Sequence, residues 1–191
     1  MSLKSVIVFG ATGQTGKGVI KAIDDGVEIK VVTRNPNAIF DTEKKLTKLI
    51  GDVTDKTFVS EAVKGVDGVV IVLGTKNKLW KTTELSVGTK NILDAMKEHQ
   101  ISKVSLCLST FLLKDFTLIK CIFYYINKEH QEMLRLAEES GCDFRAVFPP
   151  RIVEKSSLGY DVEVYDAEKT VLSKYDQVSN LDLGEFMYKC L

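Results

Sequence analysis

Residues 8–20 read VFGATGQTGKGVI, with three glycines spaced Gly10-x-x-Gly13-x-x-Gly16. The apolar run before them, SVIVFG, reads as a strand buried on both faces. The run after them, TGKGVIKAIDDG, sets Val19, Ile20 and Ile23 on one side of a helix that stops at Gly26. Strand, glycine turn and helix, in that order, give this spacing a chemical meaning. The first glycine turns the backbone sharply out of the strand. The second has no side chain to hold a diphosphate away, and the third lets the helix pack on the strand. The helix start offers unpaired N–H groups and a positive dipole end. Gly10, Gly13 and Gly16 therefore form a seat for paired phosphates, with Thr12, Gln14 and Thr15 as added donors.

The same alternation continues outward from this turn. EIKVVTR is a second strand, broken at Asn35-Pro36-Asn37, and KLTKLIGDV a third. DGVVIVLG, SKVSLCLST and DFRAVFPP supply three more, the last ended by Pro149 and Pro150. Helical spacing is read in KTFVSEAVKG, from Thr83 to His99, and from Lys128 to Ser140. The tail holds a hairpin, DVEVYD with KTVLSK, and a short helix from about Asp182. Strands alternating with helices predict an α/β fold with a parallel sheet covered on both faces. Right-handed crossovers make it doubly wound, a Rossmann arrangement. The expectation is one domain over residues 1–191, with the acceptor pocket at the carboxyl edge of the sheet.

Composition limits the partners. The 191 residues carry 26 basic and 26 acidic side chains, a formal net charge of +0, so no field of one sign steers the chain to nucleic acid or an anionic membrane. The most apolar stretch, FTLIKCIFYYI (residues 116–126), is too short to span a bilayer and contains Lys120. Cys107, Cys121, Cys142 and Cys190 have no CxxC spacing and only His99 and His130 to join them, so no metal site is expected. Free thiols in a reducing compartment, and strand residues from Val6 with no signal segment, predict a cytoplasmic protein.

The end of the second strand selects the dinucleotide. An acidic residue there bonds the ribose hydroxyls when the 2′-phosphate is missing. This strand ends VVTRNP, with Thr33 and Arg34 at that position. A guanidinium is a permanently charged fork of donors suited to a phosphate, so the cofactor is read as NADP(H). Asp52 and Val53, after the third strand, border the adenine. Gly74 and Thr75, Ser109 and Thr110, and Pro149, Pro150, Arg151 and Ile152 follow later strands to the same edge, where open α/β sheets bind their ligands.

VFGATGQTG, VVTRNP, GDV, VIVLGTKN, TKNILDAMKEH, KVSLCLSTFLL and VFPPRI together resemble the biliverdin reductase B family, also called NADPH-dependent flavin reductases, of atypical short-chain dehydrogenase/reductase type. The likeness runs from about residue 5 through LDLGEFMYKCL. It implies hydride transfer from NADPH to a flat conjugated acceptor (a flavin such as FMN, a bilin or a quinone) in a monomer. By matching motif, Ser109 is the catalytic polar residue beside nicotinamide and acceptor, and Phe111 is a pocket wall. Pro149 and Pro150 lie near the nicotinamide amide, and His130 matches a family histidine on this flank, where it is read as a substrate contact or as a structural or solvated helix histidine. The family has a histidine where this chain has Arg151. An arginine there pairs with an acceptor carboxylate or phosphate, or else is an outward surface charge. The segment 114–128 departs from the family toward apolar and aromatic residues, which opens the choice of substrate.

Two Tyr-x-x-x-Lys spacings occur, Tyr124 with Lys128 and Tyr165 with Lys169. In short-chain dehydrogenases the lysine lowers the tyrosine pKa so that it passes a proton. The family resembled here lacks the pair, and solvent can protonate a flavin or bilin in an open pocket. Two alternatives stand beside the reductase: a carbonyl reductase using Tyr124 and Lys128, and a redox-sensing regulator that binds NADP(H) without turnover.

Overall fold

The six apolar runs form β1 (Ser5–Phe9), β2 (Glu28–Thr33), β3 (Leu46–Ile50), β4 (Gly68–Ile71), β5 (Lys103–Cys107) and β6 (Asp143–Phe148). Between and after them come α1 (Gln14–Ala22), α2 (Lys56–Val63), α3 (Glu84–Glu98), α4 (Tyr124–Ser140) and α5 (Asn180–Lys189). The computed structural model describes residues 3–75, 80–113, 123–164, 169–172 and 176–191. Cys121, Tyr165, and Lys114 to Ile122 of the divergent segment lie outside the described residues.

The strands are ordered β3-β2-β1-β4-β5-β6 and are all parallel, which is the doubly wound order expected. The tail strands β8 (Val162–Val164) and β9 (Lys169–Leu172) pair antiparallel, as the hairpin reading expects. They do more than close on themselves: β9 pairs parallel with β6, so the sheet grows to eight strands. A second small sheet, β7 (Arg151–Val153) parallel to β10 (Gln177–Ser179), has no counterpart in the sequence reading. Three-residue strands carry too little periodicity to announce themselves.

Period-two alternation splits the core into two. Ile7, Phe9, Val69, Ile71, Val104, Leu106 and Phe148 face α2, α3 and α4. Val6, Val8, Val70, Val72 and Val147 face α1 and α5. On that second face α5 crosses α1 at close range. A Cβ on Gly18 would stand 1.8 Å from the carbonyl oxygen of Asn180. The Asn180 amide donates to the Gln14 carbonyl at 3.3 Å, so α5 also braces the start of α1.

Two helix starts differ from expectation. Helix α4 begins at Tyr124, four residues before Lys128, because the aromatic run continues into the helix. Helix α5 begins at Asn180 rather than Asp182: the Ser179 hydroxyl accepts the Asp182 N–H at 3.0 Å and caps it.

Candidate functional site

Parallel strands bring all six carboxyl ends to one edge. The ladder continues there through Val72 N–H to Phe9 (2.9 Å), Gly51 N–H to Thr33 (3.1 Å) and Leu108 N–H to Val147 (2.8 Å). Every residue selected from the sequence for cofactor contact follows one of these ends, except Thr33, which is itself the last residue of β2.

The β1–α1 turn is made by backbone. Gly10 sits at φ +88°, and a Cβ there would lie 2.3 Å from the carbonyl oxygen of Val72. A Cβ on Gly16 would lie 2.5 Å from the Gly10 oxygen, so the helix cannot come this close with a larger residue. Gly13 holds the N-cap position and has no side chain to satisfy the helix N–H groups, and the first turn contains no acid. Thr12, Gly13 and Gln14 are exposed, while Thr15 and Gly16 are buried. A helix start bare of cap and of carboxylate is suited to an anion, and the tight glycine turn brings it forward as bare backbone.

Beyond β2, the Thr33 hydroxyl accepts the Asn35 N–H at 3.1 Å and fixes the turn. Arg34 is half-exposed, and its Nη1 lies 3.4 Å from Asp52 Oδ2 and 3.6 Å from Glu84 Oε2. This guanidinium is thus the hub of three elements; the sequence reading names neither Glu84 nor the pairing. The Thr54 backbone N–H, and less strongly its hydroxyl and Arg34, hold the Asp52 carboxyl below its ordinary value despite partial burial. The Val53 carbonyl accepts from the Asn91 amide at 2.9 Å. Past β4, Gly74 is exposed and Thr75 buried.

The other half of the edge is made by side chains. The Phe111 N–H donates to Ser109 Oγ at 3.3 Å, closing the turn at Thr110–Leu112. The Thr110 hydroxyl donates to the Pro149 carbonyl and ties the β5 end to the β6 end. Phe111 stacks on Phe123 with ring centroids 5.7 Å apart, which docks the start of α4 against that turn. Pro149 is buried and Pro150 half-buried. Arg151 opens β7 and is exposed, while Ile152 packs against the α1–α5 core.

Helix α4 carries two features absent from the sequence reading. Glu129, 6% exposed, accepts the N–H groups of Leu85 (3.1 Å) and Ser86 (3.0 Å) and caps α3 from outside. Asn127 and His130 each carry buried polar atoms without a hydrogen-bond partner. Burial pushes the His130 pKa down to about 4, so its imidazole is neutral. The other histidine, His99, meets Ser60 Oγ at 2.9 Å and Glu98 at 4.0 Å through the same ring nitrogen. A nucleophilic triad needs the carboxylate on the opposite nitrogen, so this cluster is structural.

Helix α4 also carries the Tyr124–Lys128 pair. Tyr124 is 49% exposed, and the Lys128 ammonium lies 5.2 Å from its ring centroid, over the face. That is a cation–π contact, and the pair stands on solvent-facing α4 surface.

A doubly wound sheet with a glycine turn at its first crossover defines a dinucleotide-binding protein. The chain belongs to the NAD(P)H-binding family, whose model matches residues 10–191. Its doubly wound fold is shared with solved structures of other proteins. A short-chain dehydrogenase/reductase of Veillonella parvula, solved in complex with NADP, superposes with TM-score 0.76 at 16% identity, over 98% of this chain and 87% of that one. ChuY, an anaerobilin reductase of Escherichia coli O157:H7, superposes with TM-score 0.78 at 16% identity, over 97% of this chain and 89% of its own. An uncharacterized membrane protein of Methanocaldococcus jannaschii is 27% identical over 114 residues, 52% of this chain and 34% of that protein. This chain thus spans about a third of that relative's length. Among its described residues no helix is long and apolar enough to cross a membrane.

Proposed function

We propose that this protein is an NADPH-dependent reductase that passes hydride to a planar conjugated acceptor, in the manner of biliverdin reductase B and NADPH-dependent flavin reductase. The observation that carries the reading is the start of α1: no side-chain cap, no acid, and a turn packed so tightly at Gly10 and Gly16 that it approaches as bare backbone. Gly10, Gly13 and Gly16, with Thr12, Gln14 and Thr15, hold the diphosphate. Arg34, beside Thr33, grips the 2′-phosphate, and Asp52 and Val53 border the adenine. Gly74, Thr75, Pro149, Pro150 and Ile152 line the path to the nicotinamide. The cofactor supplies a hydride. Ser109 orients the acceptor, Phe111 walls it, and His130 and Arg151 contact its periphery. The accompanying proton comes from solvent. The neighbour named as an anaerobilin reductase supports a bilin-type acceptor beside flavins and quinones. The working unit is a single domain, a monomer, acting in a reducing cytoplasm; burial there keeps the Cys107 thiol inert by pushing its pKa up to about 12.

Two measurements test this. Mixing protein, NADPH and FMN should deplete the nicotinamide absorbance band. Tight NADPH binding with no consumption across flavins, bilins and quinones supports the redox-sensing regulator instead. Replacing Arg34 by alanine should weaken NADPH about ten- to hundredfold and leave NADH unchanged, by titration calorimetry. An unchanged preference for NADPH removes the role given to Arg34.

A further inference from the structure

The Arg34 guanidinium is outnumbered. Asp52 Oδ2 stands 3.4 Å from its Nη1, and Glu84 Oε2 stands 3.6 Å from the same nitrogen. Both separations exceed the roughly 2.7–2.9 Å of a charge-assisted hydrogen bond, so the three groups share charge without locking together. All three side chains are reached by solvent. The two acids are not equivalent. Asp52 is committed to its own turn, where it accepts the Thr54 N–H at 2.9 Å and the Thr54 hydroxyl at 2.8 Å. Glu84 arrives from across the crevice as the first residue of α3, a place where the positive end of a helix favours a carboxylate. The next two N–H groups of α3, of Leu85 and Ser86, are already taken by Glu129. That helix start therefore brings negative charge to Arg34 and has spent those donors elsewhere.

From this geometry we infer that Glu84 is a positioning residue that narrows the preference for NADPH over NADH, by competing with the 2′-phosphate for Arg34. The inference rests on the reductase reading, through the role given there to Arg34, and deepens it. A phosphate monoester brings about 1.5 to 2 negative charges to a place where one positive and two negative groups already meet. It gains the guanidinium, but it must share that cation with Glu84 and is repelled by the carboxylate beside it. NADH brings no phosphate to this place. Its ribose hydroxyls are donors that a carboxylate accepts, so the same acid does not work against it. Glu84 thus discriminates between the two nucleotides through Arg34 and through charge. Because the groups are open to solvent, the effect is modest and salt weakens it.

Titration calorimetry with NADPH and with NADH, at low and at high salt, tests this. Glu84→Gln and Glu84→Ala both remove the charge with different side chains, so agreement between them assigns the effect to charge. Each should tighten NADPH about three- to tenfold at low salt and leave NADH within about twofold, which also shows that the variant is folded. The gain for NADPH should shrink below about twofold in about 1 M sodium chloride, where the screening length is about 3 Å. A merely structural role at the start of α3 would move both nucleotides and persist in salt. NADPH affinity that is unchanged or weakened in both variants overturns the inference, as does equal tightening of the two nucleotides. Arg34 keeps its role in those cases if Arg34→Ala still loses NADPH alone. Should Arg34→Ala leave NADPH untouched as well, the 2′-phosphate assignment falls with the inference. Failure of the unaltered protein to bind either nucleotide overturns the reductase reading and this one together.

Discussion

The two halves of the crevice are built from different material. At the β1–α1 turn, residues 10–16, the chain presents backbone, and the glycines are defined by what their missing side chains avoid. At the β5 and β6 ends and the start of α4, side chains from separate stretches contribute rings and a hydroxyl. Phosphates look alike in every nucleotide, so a backbone cradle serves them without variation. An acceptor is individual, and only side chains can distinguish one flat molecule from another.

Four changes probe that contrast. The strongest effect belongs to the backbone half. Gly10→Val would force a branched side chain to φ +88° and against the Val72 carbonyl, 2.3 Å from where its Cβ must lie. A loss of about 3–5 kcal/mol is expected in urea unfolding, with no NADPH binding by any folded remainder. A stable variant that bound NADPH normally would remove the steric account of the turn.

Next comes Glu129, which caps α3 from α4. Glu129→Leu leaves two α3 N–H groups and the Ser86 hydroxyl without their shared acceptor, and about 2–4 kcal/mol should be lost. Glu129→Gln keeps one acceptor oxygen and should lose less, which a shared urea midpoint would contradict.

His130 gives α4 an acid sensitivity. Its folded pKa of about 4 lies below the ordinary 6.5, so between these values the unfolded chain binds the additional proton. Stability is complete above the unfolded value and declines as pH falls toward the folded one, by up to about 3 kcal/mol. Unfolding midpoints measured from pH 7 down to pH 4 should show the decline, and His130→Phe should flatten it. Parallel curves for the two proteins would mean that the imidazole is not shielded.

The smallest effect is expected outside the crevice. Tyr124→Phe should leave kcat/KM within about threefold, because an exposed tyrosine under an ammonium has little to lose. Abolished turnover with intact NADPH binding would restore the carbonyl reductase reading and move the acceptor half to the other side of α4.

The contrast also separates what the order of amino acids reveals by itself from what only folding brings together. Continuous apolar runs, Gly10 to Gly16 and the Thr33-Arg34 strand end are local signals, and they carry the doubly wound order and the proposed cofactor seat. The Arg34 hub joins residues 34, 52 and 84, and the Glu129 cap joins residues 129, 85 and 86. Such pairings have no spacing in sequence to betray them. Asn127 escapes notice for a related reason: an asparagine in a helix looks like a solvated one until its burial is known. The Tyr124 start of α4 is hidden because aromatic residues have modest helix propensity, and packing of Phe123 on Phe111 decides the matter.

The brace between α5 and α1 bears on how the protein is made. Translation delivers the glycine turn early and the residues of α5 some 160 positions later, since Asn180 holds the Gln14 carbonyl. Until then Val19 and Ile20 have no Leu183 or Met187 to meet, and the nascent α1 has one face open to water. A ribosome-stalled chain that stops before residue 180 would thus carry the full phosphate motif and still lack the rigidity to use it.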